Sequence, residues 1–462
     1  MNIKLSPNKN IHFIGIGGTG MSGIASIVYS MGFPVSGSDS SGNPILNKLS
    51  EIGIKIFNLH NGANIPGDTQ LVVKSAAIPE ENPEIFSAKL RNIPVIKYAK
   101  ILGYVMDMKK GIAISGTHGK TTTTSLIAYI LKNCGGNPGY VIGGVVPQLG
   151  GSSAPGENDY FVAEACEFDR SFHNIKPMYA ILNNIEEDHL DYYSGLDEIL
   201  EAFKEFILQI KPGGILFYSV SSDNIKKILP DYKGRKICYG YDTEADIKGE
   251  NYYIDDYGKT RFVINILGKE KVQVKMQLFG MHNVINALAA FSVCFYIGIP
   301  IEDILAGIEG FTGVKRRFEI LYDKNFTLVD DYAHHPTEIR TVLKYSRKKF
   351  KNRRIISVFQ PHQHSRTRFL LEDFAKSFSD ADIIIVPDIY FVRDSEIEKK
   401  MISSKDLMKK IVENSGNAFY IPSFDEIEKF LNDNIMDNDL VIFMGAGNIN
   451  EIGYNIKNRC EV

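Results

Sequence analysis

The stretch GIAISGTHGKTTTT, from Gly111 to Thr124, holds the residue types that bind nucleotide phosphates. The common phosphate loop has the spacing G-x-x-x-x-G-K-[ST]. Here Ile114 takes the position of the first glycine, and the loop shortens to G-x-x-G-K-T from Gly116 to Thr121. An ordinary turn between a strand and a helix is the alternative, but the G-K-T core favours a phosphate site.

The side chains of this loop suit a triphosphate. Backbone N–H groups beside the glycines would face phosphate oxygens, Lys120 would neutralise their charge, and the Thr121 hydroxyl would coordinate Mg²⁺. Thr121–Thr124 are poor helix formers, which suggests that their hydroxyls are kept for a ligand. A GTPase is disfavoured because no [NT]-K-x-D motif follows at a suitable distance.

A second glycine pattern, G-x-G-x-x-G, runs from Gly15 to Gly20 between an apolar strand and a helix, and Asp39 follows 19 residues later. This matches the dinucleotide fingerprint, in which a diphosphate lies at the helix N-terminus and the acid binds a ribose. Taken alone the pattern indicates NAD or FAD. The same geometry binds any nucleotide diphosphate, and a tight turn without a ligand is the third alternative.

Carboxylates and an imidazole follow two later strands. Glu164 ends the strand in DYFVAEA, and Asp188-His189 stand together in NNIEEDHLDYY. Mg²⁺ prefers carboxylate oxygens beside phosphates, so Glu164 is a candidate metal ligand. Three nearby acids compete for that role or are surface charges: Glu157, Asp159 and Glu167. A lone histidine is more often structural, but its place in a strand-end loop favours function for His189.

Further polar residues cluster later in the chain. Asn283 and Asn286 share one face of a helix at i, i+3, although Asn283 could instead cap that helix. The segments KRRFE, DDYAHHPTEI and FQPHQHSRTR supply the remaining candidates, which are Arg316, Arg317, Asp330, Asp331, His334, His335, His362, His364, Arg366 and Arg368. The histidine pairs lack helical i, i+4 spacing and cysteine partners, so a structural zinc site is disfavoured.

The elements that must position these residues alternate between strand and helix in three successive arrays. Parallel strands with helical crossovers are therefore expected, and ligands gather at the carboxyl ends of such strands. The third array predicts five strands and a continuous helix over residues 366–378. The fold class is α/β, with three consecutive domains: a Rossmann-like N-terminal domain (1–108), a central P-loop ATPase domain (109–313) and a C-terminal Rossmann-like, doubly wound sheet (314–462).

Composition excludes several classes. The 462 residues carry a net charge of −3 with 44% hydrophobic residues, so nothing indicates a nucleic-acid partner. The five cysteines form no C-x-x-C pair, which favours a reduced, cytoplasmic location. The longest apolar run, 284–301, contains Asn286 and Ser292 and predicts a buried helix rather than a membrane span. Oligomeric state is not predicted.

The motifs resemble those of the Mur ligase superfamily, which joins an amino acid or peptide to a carboxylate with ATP. The resemblance covers essentially the whole chain, in the order IHFIGIGGTGMSGIA, SGSD, SGTHGKTTTT, VAEACEFD, NIEEDHLDYY, GMHNVINALAA, GVKRRFE, DDYAHHPTEI and QPHQHSRT. Within the superfamily these segments look most like the members that join L-alanine to UDP-N-acetylmuramate in peptidoglycan synthesis. The branch that recycles murein tripeptide ranks second, because it usually departs from GIGGTGMSG.

The resemblance implies the following ligands. The first loop would bind the diphosphate of UDP-N-acetylmuramate through Gly15, Gly17, Gly18, Thr19, Gly20, Asp39 and Ser75. ATP would be bound by Gly116, Thr117, His118, Gly119, Lys120, Thr121, Thr122, Asn283, Asn286, Arg317 and Asp331. Thr121 and Glu164 would ligate one Mg²⁺ and His189 a second. L-alanine would be bound by Tyr332, His334, His362 and Arg366.

Catalysis would rest on Lys120, His189 and Arg317, through an acyl phosphate that the amine of L-alanine attacks. Either His189 or His334 could take the proton from the amine. Family members often carry arginine where this chain has Gln363, and no equivalent of the carbamylated lysine of sister ligases is seen. Two other classes stay open: a nicotinamide dehydrogenase, and a nucleotide-switched binding protein without ligase chemistry.

Overall fold

The computed structural model describes residues 5–242, 244–255, 258–392 and 394–461. Its contacts divide the chain into two compact units. Unit 1 comprises Met1–Glu187 and Gly195–Thr312, and unit 2 comprises Asp188–Ser194 and Gly313–Val462. Among the described residues, no helix is long and apolar enough to cross a membrane.

Unit 1 begins with a five-stranded parallel sheet in the order β3-β2-β1-β4-β5. Its strands are β1 (Ile11–Ile14), β2 (Val35–Ser38), β3 (Lys55–Phe57), β4 (Leu71–Lys74) and β5 (Val95–Lys97). Its helices are α1 (Thr19–Ser30), α2 (Ile45–Glu51), α3 (Pro83–Leu90) and α4 (Tyr98–Asp107). Every residue of β1, β2 and β4 is buried, as expected for parallel strands covered on both faces.

The second sheet of unit 1 has ten strands in the order β15-β14-β13-β12-β11-β10-β6-β9-β7-β8. These are β6 (Lys110–Ser115), β7 (Gly139–Val146), β8 (Gly151–Ala154), β9 (Tyr160–Glu164), β10 (Tyr179–Leu182), β11 (Ile215–Ser219), β12 (Arg235–Gly240), β13 (Ile247–Ile254), β14 (Thr260–Ile266) and β15 (Glu270–Met276). The helices are α5 (Lys120–Asn133), α6 (Leu196–Ile207), α7 (Asp223–Ile228), α8 (Met281–Tyr296) and α9 (Ile301–Gly310). The centre of the sheet is parallel, and β13–β15 form an antiparallel meander.

Unit 2 contains a six-stranded sheet in the order β16-β17-β21-β18-β19-β20, parallel except for the edge pair β16–β17. The strands are β16 (Glu319–Asp323), β17 (Thr327–Asp331), β18 (Ile355–Phe359), β19 (Ile383–Val386), β20 (Ala418–Tyr420) and β21 (Leu440–Met444). The helices are α10 (Pro336–Lys349), α11 (His364–Phe369), α12 (Leu371–Ala375), α13 (Glu396–Met401), α14 (Ser404–Ser415), α15 (Phe424–Asn434) and α16 (Asn450–Cys460). Alternate residues of β21 enter two separate apolar clusters, so both faces of the sheet are buried.

The alternating α/β fold class predicted from the sequence is confirmed, with three corrections of detail. The continuous helix predicted over residues 366–378 is wrong, because the backbone leaves the helical region at Leu370 and separates α11 from α12. Strand β16 was not predicted, since its apolar run, Ile320 to Tyr322, is only three residues long and lies between two acids. Strands β7 and β8 were missed because three of the eight residues of β7 are glycines and β8 is the short, weakly apolar segment Gly-Ser-Ser-Ala.

Candidate active site

The G-x-x-G-K-T loop lies between β6 and α5, where its glycines are required by shape. Gly119 has φ +80°, and a side chain there would bring Cβ to 2.5 Å from Oδ1 of Asn286. At Gly116, with φ +131°, a Cβ would lie 2.9–3.0 Å from the backbone of Asn184. Only glycine therefore fits either position, and the predicted ATP residue Asn286 is placed directly against this loop.

Lys120 lies inside the loop and is paired. Its Nζ donates to the carbonyl oxygens of Gly116 (2.5 Å) and Thr117 (3.1 Å), and to both carboxylate oxygens of Glu167 at 3.0 and 2.9 Å. Burial by itself would lower the pKa of Lys120, but the negative charge of Glu167 raises it above the ordinary value. Lys120 is therefore protonated inside the loop, where it is paired with Glu167.

Glu167, which the sequence left as a competing metal ligand or a surface charge, is neither exposed nor solvated. It is 3% exposed, and its two carboxylate oxygens are the ones bonded to Lys120. Glu164, at the end of β9, accepts the N–H of Gly143 through Oε1 at 2.5 Å. Glu164 thus stays the strand-end carboxylate suited to a metal, whereas Glu167 neutralises the lysine.

The prediction that the whole run of threonine hydroxyls is kept for a ligand is wrong for its second half. Thr123 and Thr124 are fully buried. The hydroxyl of Thr124 donates to the carbonyl of Lys120 at 2.8 Å, and Thr123 accepts from Asn183. Buried hydroxyls need internal partners, and the turns of α5 and the neighbouring strand end supply them. Thr121 and Thr122 lie in the first turn of α5, and their ligand roles stay predictions.

Two asparagines that follow β10 hold the loop, and the sequence did not single them out. The side chain of Asn184 accepts the N–H of His118 at 2.8 Å, and Asn183 donates to the carbonyl of His118. The Thr117 hydroxyl accepts the N–H of Glu186 at 2.8 Å. The polar run N-N after an apolar strand was the available signal, because strand ends of one sheet meet at one edge.

Asn283 and Asn286 lie together on α8, as their spacing predicts. The side chain of Asn286 donates to Oδ1 of Asn283 at 3.2 Å. Asn283 is not the helix cap, because α8 begins at Met281 after Gly280; its side chain instead donates to the carbonyl of Phe279.

The first glycine loop connects β1 to α1 and is braced by Asp39 at the end of β2. Its carboxylate accepts the N–H groups of Gly17 (2.8 Å) and Ser41 (2.9 Å). Burial by itself would raise the pKa of Asp39, but these hydrogen bonds outweigh it and hold the pKa below its ordinary value. Gly18 and Thr19, where α1 begins, are exposed. The first-turn amides of α1 are thus accessible to an anion.

Ser75 and Gly15 are neighbours in this part of unit 1, each directly after a strand. Ser75 donates its N–H to the carbonyl of Ile14 at 3.1 Å. A Cβ at Gly15 would lie 3.2 Å from Cβ of Ser75, so a side chain at Gly15 would crowd it. Gly20 lies in the first turn of α1. The seven residues assigned to the first loop therefore surround the carboxyl ends of β1, β2 and β4.

In unit 2 the predicted L-alanine residues come together. Arg366 places Nη2 3.2 Å from Oδ1 of Asp188 and Nη1 3.4 Å from Nδ1 of His362. The rings of Tyr332 and His334 lie 5.3 Å apart, and those of His334 and His362 lie 6.2 Å apart. A guanidinium, two imidazoles and a phenol thus form one cluster, although their positions span more than thirty residues of sequence.

Further groups of unit 2 border this cluster. Tyr390, which the sequence did not single out, stacks on His362 with ring centroids 5.5 Å apart. His189, with φ +54°, lines a small pocket together with Asp188 and Arg366. Gln363 is buried, and its backbone accepts from Thr367 and donates to Tyr390. No signal predicted Tyr390, because it lies in a loop without a motif.

The charge state of the cluster follows from its surroundings. Burial lowers the pKa of His334 to about 4, so the imidazole is neutral at physiological pH. Its Nδ1 lies 3.0 Å from the carbonyl oxygen of Tyr332 and 3.4 Å from a carboxylate oxygen of Glu338. Both neighbours can only accept, so Nδ1 carries the proton and Nε2 is left with its lone pair.

The two arginines of KRRFE have different surroundings. Arg316 pairs with buried Asp330 and donates to the carbonyls of Gly445 (2.8 Å) and Gly447 (3.0 Å). Both guanidinium carbons lie 5.2 Å from the centroid of the Tyr332 ring, and Arg317 lies 3.8 Å from a carboxylate oxygen of Glu338. Arg316 therefore holds the fold of unit 2, whereas Arg317 is weakly paired and its contact with a phosphate stays a prediction.

Asp331, predicted to contact the nucleotide, accepts the N–H groups of Phe318 (2.7 Å) and Ala333 (2.8 Å). Burial raises the pKa of Asp331 to about 6, although nearby Arg317 opposes the shift. Its neighbour His335 caps α10 and takes part in a capping box with Glu338. Arg368 pairs with Glu398 and His364 with Asp394, so neither belongs to the cluster around Arg366.

Comparison with known proteins agrees with these motifs. Family models match as the Mur ligase family catalytic domain over residues 10–110, the Mur ligase middle domain over 114–294, and the Mur ligase glutamate ligase domain over 316–447. The UDP-N-acetylmuramate–L-alanine ligase of Agathobacter rectalis is 41% identical, with 98% of this chain and 99% of the relative covered. The ligase of the same name from Acetivibrio thermocellus is 41% identical, with 97% of this chain and 96% of the relative covered.

Solved structures give the same result. A UDP-N-acetylmuramate–alanine ligase from Thermotoga maritima superposes with a TM-score of 0.81 at 29% identity, covering 98% of this chain and 99% of that one. A murein peptide ligase from Psychrobacter arcticus superposes with a TM-score of 0.74 at 26% identity, covering 98% of both chains. With three matching domain models and relatives above 30% identity over nearly its whole length, this chain belongs to the Mur ligase family.

Proposed function

We propose that the chain joins the carboxylate of UDP-N-acetylmuramate to the amine of L-alanine with ATP, a step of peptidoglycan synthesis. The observation that carries the proposal is the charged Lys120 inside a glycine loop whose shape excludes side chains. The support for this substrate pair is the identity of 41% to relatives of that activity over 98% of the chain.

The reaction needs two anions to meet. A carboxylate oxygen of the sugar attacks the γ-phosphorus of ATP, ADP leaves, and an acyl phosphate results. Lys120 would neutralise the β- and γ-phosphates, and Arg317 would meet the transferred phosphoryl group. Gly116, Thr117, His118, Gly119 and Thr122 would bind through backbone and first-turn groups, with Asn283, Asn286 and Asp331 toward the rest of the nucleotide.

The donor set around the phosphate loop fits magnesium. Thr121 and Glu164 offer the oxygen ligands that Mg²⁺ prefers, and His189 would hold a second ion. When bound, magnesium would neutralise phosphate charge. The carboxylate of Glu164 is held in place by the N–H of Gly143, which leaves its other oxygen for such a ligand.

Tyr332, His334, His362 and Arg366 would receive L-alanine. Arg366 would bind the α-carboxylate, since a guanidinium matches a carboxylate in shape and charge. The amine then attacks the acyl carbon and phosphate leaves. Of the two candidates we favour His334, because the carbonyl of Tyr332 fixes the proton on Nδ1 and leaves Nε2 with the lone pair that can take the proton of the amine.

The first loop would bind the UDP part of the sugar substrate. Its diphosphate would lie against the α1 amides at Gly18, Thr19 and Gly20, with Gly15, Gly17, Asp39 and Ser75 shaping the loop beneath it. We also propose the domain boundaries 1–108, 109–313 and 314–462, and a cytoplasmic location. Small molecules are the proposed partners, and neither nucleic acid nor membrane is among them.

A phosphate-release assay tests the function. Release from ATP is expected to require UDP-N-acetylmuramate and L-alanine together, with weaker activity for glycine or L-serine. Release that requires a tripeptide instead of L-alanine would support the second candidate, the recycling ligase, which the similarity to the murein peptide ligase of Psychrobacter arcticus favours. Slow phosphate release that does not depend on the sugar would indicate a nucleotide-switched binding protein. Binding of NADH in a fluorescence titration would indicate a dehydrogenase. Either result would contradict the proposal.

A further inference from the structure

A buried polar cluster lies below the first glycine loop and has no role in the function proposed above. We call it the Glu84 cluster, and its members are His12, Ser38, His60, Asn64 and Glu84. Ser38 is the last residue of β2, His12 belongs to β1, and Glu84 lies in the first turn of α3. The side chain of Glu84 has no exposed surface.

Each oxygen of the buried carboxylate has two partners. Oε2 accepts from the hydroxyl of Ser38 at 2.5 Å and lies 3.3 Å from Nδ1 of His60. Oε1 accepts from Asn64 at 2.7 Å and lies 3.6 Å from Nε2 of His12. Burial by itself would raise the pKa of Glu84, but these partners outweigh it and hold the pKa below the ordinary value. The carboxylate is therefore ionised.

The cluster is joined to the substrate loop through one residue. The carbonyl oxygen of Ser38 accepts the N–H groups of Gly15 (2.8 Å) and Ile16 (3.1 Å), the first two residues of the loop. The next residue, Asp39, accepts the N–H of Gly17. The hydroxyl of Ser38 meanwhile binds Glu84. Ser38 thus holds two successive amides of the loop directly, and its neighbour Asp39 holds the third.

A buried charge is costly unless it is fully hydrogen-bonded, and an apolar replacement would often stabilise a fold equally well. This carboxylate binds Ser38 at the carboxyl end of β2, and α/β sheets bind their ligands at the carboxyl ends of the strands. We propose that Glu84 is a positioning residue for the UDP-sugar, which holds Ser38 and with it the glycine loop in the shape that binds the diphosphate. The inference rests on the proposed function, because it takes this loop as the UDP-sugar site.

The test compares Glu84→Gln, Ser38→Ala and the double variant. We expect each single change to raise the Kd and the KM for UDP-N-acetylmuramate about tenfold, with kcat within twofold and the KM for ATP unchanged. Because both residues act through one hydrogen bond, the double variant should be no weaker than either single variant. Titration calorimetry gives Kd, and phosphate release at saturating ATP gives the kinetic constants.

Thr69→Ala is the matched control. Thr69 is buried in the same sheet region, outside the Glu84 cluster, and its hydroxyl accepts from Asn10 at 3.0 Å. This variant should lower the melting temperature without changing the KM for the sugar. If Glu84→Gln fails to fold, Ser38→Ala alone carries the test, since it leaves the backbone carbonyl in place.

Two outcomes would overturn the inference alone. One is a lower melting temperature for Glu84→Gln and Ser38→Ala with unchanged Kd and KM for the sugar. The other is a loss of kcat or of ATP binding with sugar binding intact. A wild-type chain that neither binds UDP-N-acetylmuramate nor ligates L-alanine would instead overturn the proposed function, and the inference with it.

Discussion

Lys120→Ala is expected to remove most phosphoryl transfer and also to weaken the fold, because one ammonium group serves both. A cation that stabilises transition-state charge contributes about 3–5 kcal/mol, which corresponds to a loss of roughly 10²- to 10⁴-fold in kcat. The structural part of the effect comes from Glu167, whose carboxylate contacts the ammonium at 2.9 and 3.0 Å.

Glu167 is only 3% exposed, so the alanine variant leaves a buried carboxylate without its cation. Removing one partner of a buried ion pair costs about 3–5 kcal/mol of unfolding free energy. The double variant Lys120→Ala, Glu167→Gln carries no such charge. We expect it to recover most of the lost stability and none of the lost activity, which separates the two roles.

Phosphate release and a thermal melt measured on the same preparations provide the assay. Lys132→Ala is the control, because this lysine lies on the same helix, in its last turn, and is exposed. Near-normal ligation by Lys120→Ala would refute the assignment of the phosphate loop. An unchanged melting temperature for Lys120→Ala would refute the stabilising role of the buried pair between Lys120 and Glu167. Restored turnover in the double variant would show that the lysine only neutralises Glu167.

Three further outcomes are expected. Gly119→Ala should raise the KM for ATP at least tenfold and lower the melting temperature, because φ is +80° and the new Cβ would meet Asn286 at 2.5 Å; activity assays and melts check this. Arg316→Ala should mainly lower the melting temperature, because it leaves buried Asp330 without its cation. Arg317→Ala should leave the melting temperature unchanged and lower kcat. Between pH 6.5 and 4 the unfolded chain takes up a proton at His334 that the folded chain does not, so the wild-type free energy of unfolding decreases as the pH is lowered through this window. His334→Gln should lose less unfolding free energy than the wild type between pH 7 and pH 5, as measured by urea titrations.

The sequence predicted the features that depend on local spacing. Both glycine loops lie between a strand and a helix, and Asn283 and Asn286 share a helix face, because these relations are fixed within a few residues. Edge strand β16 and the break at Leu370 were not predicted, because β16 has only three consecutive apolar residues and no glycine or proline marks the break at Leu370.

Pairs of side chains that lie far apart in sequence could not be predicted from the sequence. Arg366 and Asp188 are 178 positions apart, and their contact is set by the fold of unit 2. Glu167 resembled a surface charge because acids usually are, and only the fold shows it buried against Lys120. Glu84 had no motif at all, although it is the most completely enclosed acid near the first loop.

Acids below the two phosphate loops pose an electrostatic problem, because they repel the anions that the loops would bind. At the second loop, the ammonium of Lys120 pairs with Glu167 and offsets its charge. At the first loop, Asp39 occupies the N–H of Gly17, which removes that amide from the set a diphosphate can use. In the proposed function the diphosphate would therefore lie against the other amides at the start of α1, those of Gly18, Thr19 and Gly20. Asp39 therefore shapes the loop in this chain, and the N-terminus of α1 would supply the positive partial charge that attracts the diphosphate.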